Sequence, residues 1–185
     1  KSVAATKTYT GQLLAFYLLA WALGSDIDLE TLARVGEWTN DALQLEPAIR
    51  TLADRYTFMN HAVVVGRAVN YSNAFEFALK MMETCYVIAE RFSSADFLHG
   101  PIAMVESQFP VFLFAPTGVT WPGTREMIVR LRGLGAELTV ITDAGNREAG
   151  KLAPRAIEIP VVLGTKKHRP EELYTPIPYV VPAQL

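Results

Sequence analysis

The 185-residue chain is half apolar and has a formal charge of −2 at pH 7, so it can bury a core without disulfide or metal staples. Its charges are dispersed, and no basic run or basic stretch interleaved with aromatics points to nucleic acid. The single cysteine, Cys85, excludes an internal disulfide, gives no zinc spacing and fits a reducing cytoplasm. Lying in an apolar helical pattern, it reads as a small core side chain.

Thr6 to Gly24 is nearly all apolar and predicts a helix stopped by Gly24-Ser25-Asp26. Its apolar run, Leu13 to Leu23, is too short to cross a bilayer and lacks the flanks of a signal peptide. It reads as a buried core helix. Asp28 suits the N-cap of a second helix carrying Leu29, Leu32, Leu43 and Leu45. Pro47 suits the first turn of a third helical piece, with Ile49 and Leu52 facing inward. These opening residues predict a helical segment with no strand.

The pattern then changes. His61 to Gly66 is a β-branched run closed by glycine, the signature of a buried strand. A helix is predicted from about Ser72, as its cap, to about Ala89. Pro110 to Ala115 predicts a second strand, Thr124 to Leu134 a helix ended by Gly135, and Glu137 to Thr142 a third strand. A short helix covers Arg147 to Leu152, and Ala156 to Pro160 is a fourth strand. The polar-basic stretch Lys166-Lys167-His168-Arg169 reads as a solvated loop. From Glu171 onward the chain is helical in part, broken by Pro176, Pro178 and Pro182.

Strands alternating with helices, each strand an unbroken apolar run, predict an α/β fold: a parallel sheet with helices on both faces. Such sheets bind ligands beyond the carboxyl ends of their strands, here Gly66-Arg67, Ala115-Pro116-Thr117 and Thr142-Asp143. No GxGxxG or P-loop stands at any of them, no metal-ligand cluster is present, and no cofactor is implied.

The chemistry-bearing stretch lies between Asn73 and Met104. On a helix Glu76, Lys80 and Glu83 line one face. On an arbitrary helix that stripe is an exposed salt-bridged surface worth about a few tenths of a kcal/mol. Here the surrounding Phe75, Phe77, Ala78, Leu79, Met81 and Met82 are apolar, so the charges are expected to be partly desolvated. A carboxylate beside a lysine in such a place is suited to proton transfer, with the lysine holding developing negative charge. His99-Gly100-Pro101 adds a titratable ring on a tight turn.

Glu76, Leu79, Lys80, Glu83, Tyr86, Glu90, His99, Gly100 and Pro101 follow, without a gap, a pattern of the sugar isomerase (SIS) family. The stretch resembles the second half of the isomerase module of glucosamine-6-phosphate synthase and its relatives without a glutaminase domain. The opening, Ser2-Val3-Ala4-Ala5-Thr6-Lys7-Thr8-Tyr9-Thr10-Gly11-Gln12, resembles the family's segment joining the first SIS subdomain to the second. The end, from Tyr174 to Leu185, resembles the start of the family's last helix.

The resemblance implies a three-layer αβα sandwich of flavodoxin-like type. Residues 1–57 would be a helical linker belonging to the end of a preceding SIS subdomain, and residues 58–185 a second SIS domain without its C-terminal tail. It implies that Glu83 shuttles a proton between C1 and C2 of an open-chain sugar phosphate and that Lys80 stabilises the enediolate. It implies that His99 serves ring opening, reaching into a neighbouring subunit's site, and that the backbone of Val3 contacts the sugar. Two positions depart from the glucosamine-synthase pattern: Met82 stands where a second lysine is common, and Leu98 where a lysine often precedes the histidine. The Ser/Thr-rich phosphate loops and the C-terminal lysine of the family are absent, and the chain starts with Lys. It therefore reads as a fragment, inactive alone, of an enzyme that isomerises, aminates or deaminates an amino- or keto-sugar 6-phosphate. A fructosamine-phosphate deglycase and a sugar-phosphate-sensing module without turnover are the competing readings. The expected partners are a sugar phosphate and a second copy of the chain, since Phe16, Tyr17, Trp21 and Trp38 supply apolar surface. No nucleic acid, no membrane and a cytoplasmic location are expected.

Overall fold

The computed structural model describes residues 4–161, 163 and 172–185. Val3 and the stretch Lys166 to Arg169 lie outside the described residues. Three helices open the chain: α1 (Thr6–Ala22), α2 (Leu29–Leu43) and α3 (Glu46–Ala53). Asp28 caps α2 as its sequence position predicts, its carboxylate accepting from the N–H groups of Glu30 and Thr31 at 3.2 Å each. Pro47 lies in the first turn of α3, where a missing N–H costs nothing.

The expectation of a buried core helix is not met by α1. Tyr17 is its buried residue, while Phe16 is 67% exposed and Trp21 48%. With apolar side chains on every face, α1 has no polar side to turn outward. It is attached through Tyr17, whose ring stacks on Tyr174 and whose hydroxyl donates to the carbonyl of Leu173.

The sheet has five parallel strands in the order β2-β1-β3-β4-β5: β1 (His61–Gly66), β2 (Ile88–Ser93), β3 (Pro110–Phe114), β4 (Glu137–Asp143) and β5 (Arg155–Ile159). Alternation along β1 sends Ala62 and Val64 to one core and Val63 and Val65 to the other. The first core takes in Trp38, Phe112, Phe114 and Tyr179 beside α2, α4 (Tyr71–Lys80) and α8 (Pro176–Gln184). The second takes in Phe97, Met127, Ile128, Leu131 and Leu138 beneath α5 (Ser94–Leu98) and α6 (Trp121–Gly133). Helices on both faces make this the three-layer αβα arrangement. A further short helix, α7 (Arg147–Leu152), links β4 to β5.

Three local expectations are corrected. The helix expected to run to Ala89 stops as an α-helix at Lys80, continues as a π turn over Met81–Cys85, and gives way to the edge strand β2. Its N-cap is Asn70, and the Ser72 hydroxyl donates to the carbonyl of Val69 at 3.0 Å. Cys85, expected in the core, is exposed, because the wider turn carries it outward. The prolines of α8 do not break it: Pro176 and Pro178 fall in its first turn, where no intrahelical N–H bond is due, and only Pro182 is interior.

Candidate active site

Helix α4 carries Glu76 and Lys80 and leads into the π turn that carries Glu83, and β1 fixes where α4 starts. A Cβ on Gly66 would stand 2.2 Å from the carbonyl oxygen of Asn70, so only glycine lets the chain fold back this tightly at the end of β1. From there α4 runs antiparallel to the strands, with Ala74 and Ala78 fully buried against the sheet. Lys80, at its far end, thus lies near the amino ends of the strands, and the chain re-enters the sheet at Ile88, whose N–H donates to the carbonyl of Asn60 at 3.0 Å.

The structure brings together Lys80 and Glu83, their Nζ and Oε2 atoms 2.6 Å apart. The π turn is what aims Glu83. It is closed by Tyr86 in the left-handed region, φ 57°, and by a bond from the Val87 N–H to the carbonyl of Met81. The side chain of Lys80 is only 9% exposed and that of Glu83 24%, so the ammonium is held inside and the carboxylate reaches solvent. Glu76, also buried, lies 3.8 Å from the Lys80 ammonium. Two carboxylates therefore flank one cation, which satisfies a buried positive charge while leaving the group one negative charge in excess. Gln184 of α8 donates to Glu76 at 3.0 Å and to the carbonyl of Thr6 at 3.4 Å. A cavity of about 580 Å³ opens beside Lys80, lined also by Tyr56, Thr84, Cys85, Gln184 and Leu185.

His99 is not part of this group within the chain. It is exposed and caps the end of α5, its backbone N–H donating to the carbonyl of Asp96. Since α5 leaves from the far end of β2, about one strand length (~17 Å) separates its start from Ile88. Among the described residues no hydrogen bond joins the His99 ring to Lys80 or Glu83.

The carboxyl ends of the strands, where the sequence directs attention, hold the chain's own side chains. Asp143, fully buried, accepts from the N–H and hydroxyl of Thr117 and from the hydroxyl of Tyr179. Glu172 accepts from the N–H and hydroxyl of Thr120. Asn70 donates to Thr175, and Asn73 to Asn70 and the carbonyl of Pro176. Burial, with the Asp143 carboxylate beside it, pushes the Tyr179 hydroxyl well above its ordinary range. These residues are scattered over a hundred positions of sequence, and the strand ends alone could have flagged only Thr117 and Asp143. Among the described residues no cluster of three or more His, Cys, Asp or Glu could hold a metal ion, and no helix is long and apolar enough to cross a membrane.

Comparison with known proteins agrees with this architecture. The family model of the SIS domain matches residues 58–170. The chain is 35% identical over 189 residues to glutamine–fructose-6-phosphate aminotransferase [isomerizing] of Pyrococcus horikoshii, covering 99% of this chain and 30% of that protein. It is 30% identical to the protein of the same name from Methanothermobacter thermautotrophicus, again covering 99% of this chain and 30% of that protein. The chain thus spans under a third of the length of these relatives. Among solved structures, it matches the C-terminal domain of glucosamine-fructose-6-phosphate aminotransferase from Francisella tularensis with a TM-score of 0.81 at 23% identity, covering 97% of this chain and 51% of that one. A glucosamine-6-phosphate deaminase from Thermotoga maritima matches with a TM-score of 0.67 at 21% identity, covering 97% and 49%. These two likenesses establish the shared fold.

Proposed function

The chain belongs to the SIS domain family, and on that premise we propose that it is the second SIS domain of a longer enzyme acting on a sugar 6-phosphate by enediol-type proton transfer. In this reading Glu83 takes the proton from the carbon next to the open-chain carbonyl and returns it to the neighbouring carbon. Lys80 balances the negative charge that gathers on the oxygen. Carbon acids of this kind need a base within hydrogen-bond reach and a cation where the oxyanion forms. The single observation that carries the reading is the Lys80–Glu83 pair, its carboxylate partly exposed and its buried cation lining a cavity. His99, exposed and remote from the pair in its own chain, would serve ring opening in the site of a second subunit, so the working form is a dimer. Residues 1–57 would end a preceding SIS subdomain, and the bare apolar faces of α1 support a partner there. The name of the relatives, glutamine–fructose-6-phosphate aminotransferase, supports a hexose 6-phosphate as the substrate.

Incubating the full-length protein in D2O with fructose 6-phosphate, glucose 6-phosphate and glucosamine 6-phosphate, followed by proton NMR, tests this. Deuterium entering C1 or C2, or interconversion of the sugars, is the expected result. Line broadening of a sugar phosphate with no exchange would replace it with a sensing module or a deglycase of another substrate.

A further inference from the structure

Glu76 is a buried carboxylate to which the proton transfer assigns no task, and a side chain from the other end of the sequence is fixed on it. The amide of Gln184 faces two acceptor oxygens, Oε1 of Glu76 and the carbonyl of Thr6. Its nitrogen must therefore be the end that meets them. The oxygen it binds on Glu76, Oε1, is the same atom that stands 3.8 Å from the Lys80 ammonium. That separation exceeds hydrogen-bond length, whereas the Lys80–Glu83 contact is 2.6 Å. One cation thus stands between two carboxylates and is closed onto only one.

A buried carboxylate must be hydrogen-bonded or paired. With Gln184 in place, Glu76 has its donor and leaves the ammonium to Glu83. Remove that donor and Lys80 is the group at hand to satisfy Glu76. Closing that gap would draw the ammonium away from Glu83. Gln184 can do this because α8 is buried along its length from Pro176 to Ala183, so its last turn is held against α4. We infer that Gln184 is a positioning residue: by occupying Glu76 from the α8 side it keeps the Lys80 ammonium on Glu83. The inference rests on the proposed function for its catalytic meaning, while the hydrogen-bond arrangement can be tested apart from turnover.

The test uses the full-length protein with 15N-labelled lysine side chains and follows the Lys80 Nζ signal by NMR. Glu83→Gln and Glu76→Gln are each made in the parent and in Gln184→Met, which keeps the side-chain length and removes the donor. In the parent, Glu83→Gln shifts the Lys80 signal more than Glu76→Gln does. In Gln184→Met the order reverses. The same order in both backgrounds overturns the inference, and Gln184→Leu gives a second reading should the first variant fold poorly.

In turnover, Gln184→Met lowers kcat of proton exchange by about ten-fold, as small displacements at a reacting group do, with KM for the sugar phosphate unchanged. The loss disappears when Glu76→Gln is combined with it, since no competing carboxylate remains. A loss that persists in the Glu76→Gln background assigns Gln184 a merely structural role and overturns the inference. If the NMR order reverses while the parent turns over no sugar phosphate, the positioning role stands and the proposed function falls.

Discussion

The two ends of the sheet are built from similar side chains and put to opposite uses. At the carboxyl ends of the strands, Asp143, Glu172, Asn70 and Asn73 are buried and accept or donate within a set formed with Tyr9, Thr117, Thr120, Thr175 and Tyr179. At the opposite end, Lys80 lines a cavity and is paired with Glu83, whose carboxylate is partly open to solvent. Parallel α/β sheets ordinarily take ligands at the first end. Here α8 and the turn before it fill that place, and the groups able to move a proton stand at the other, where α4 delivers them. A polar cluster whose members satisfy one another gives stability; one with an open carboxylate and a held cation has the groups that the proposed proton transfer calls for.

Substitutions at the two ends should therefore separate rate from stability. The largest effect is expected from Glu83→Gln: proton exchange measured by NMR in D2O falls by about 10²–10⁴-fold, the usual share of a general base. Its urea denaturation midpoint stays near the parent's, because the side chain is partly exposed and Lys80 keeps Glu76. Gly66→Ala comes next and acts on folding. The added Cβ meets backbone at 2.2 Å, and the expected loss is about 3 kcal/mol or more in urea denaturation. Asp143→Ala strips the buried Tyr179 hydroxyl and Thr117 of their acceptor. It costs about 2–3 kcal/mol, with exchange per folded molecule unaltered. A fall in rate with no loss of stability in Asp143→Ala would erase the distinction between the two ends.

The smallest effect is on alkaline stability. Burial raises the Tyr179 hydroxyl well above its ordinary 10.0 and raises that of Tyr9 to about 12. Between the ordinary and the raised values the folded chain keeps protons that the unfolded chain has released. Stability is thus whole below pH 10 and declines as pH rises beyond it. Tyr179→Phe, costing about 1 kcal/mol at pH 7, should flatten that decline in denaturation series run from pH 8 to 11.

Four strands are legible in the sequence: β1, β3 and β4 because they are buried on both faces and read as largely apolar runs, and β5, half-buried at the other edge, from its short Ala156-Ile157 and Ile159 pattern before Pro160. The fifth, β2, is an edge strand in which Glu90 and Arg91 interrupt the pattern, and the chain enters it through left-handed Tyr86 rather than a glycine. No turn signal marks the change, so the helical period simply runs on. The pairing of Lys80 with Glu83 is legible from their spacing along one helix. The contact of Gln184 with Glu76 spans 108 residues and follows from the docking of α8, which no local pattern announces. Two prolines of that helix, Pro176 and Pro178, read as breaks only while its starting residue is unknown. The buried reading of α1 fails for another reason: apolar composition reports an appetite for burial, not whether this chain supplies the cover.

The bond from Gln184 to the carbonyl of Thr6 has a mechanical side. It joins backbone at the start of α1 to a side chain of α8, across 178 positions of sequence. A shift of α1 against α8 is therefore met first by Gln184, and the next side chain along is Glu76, beside Lys80.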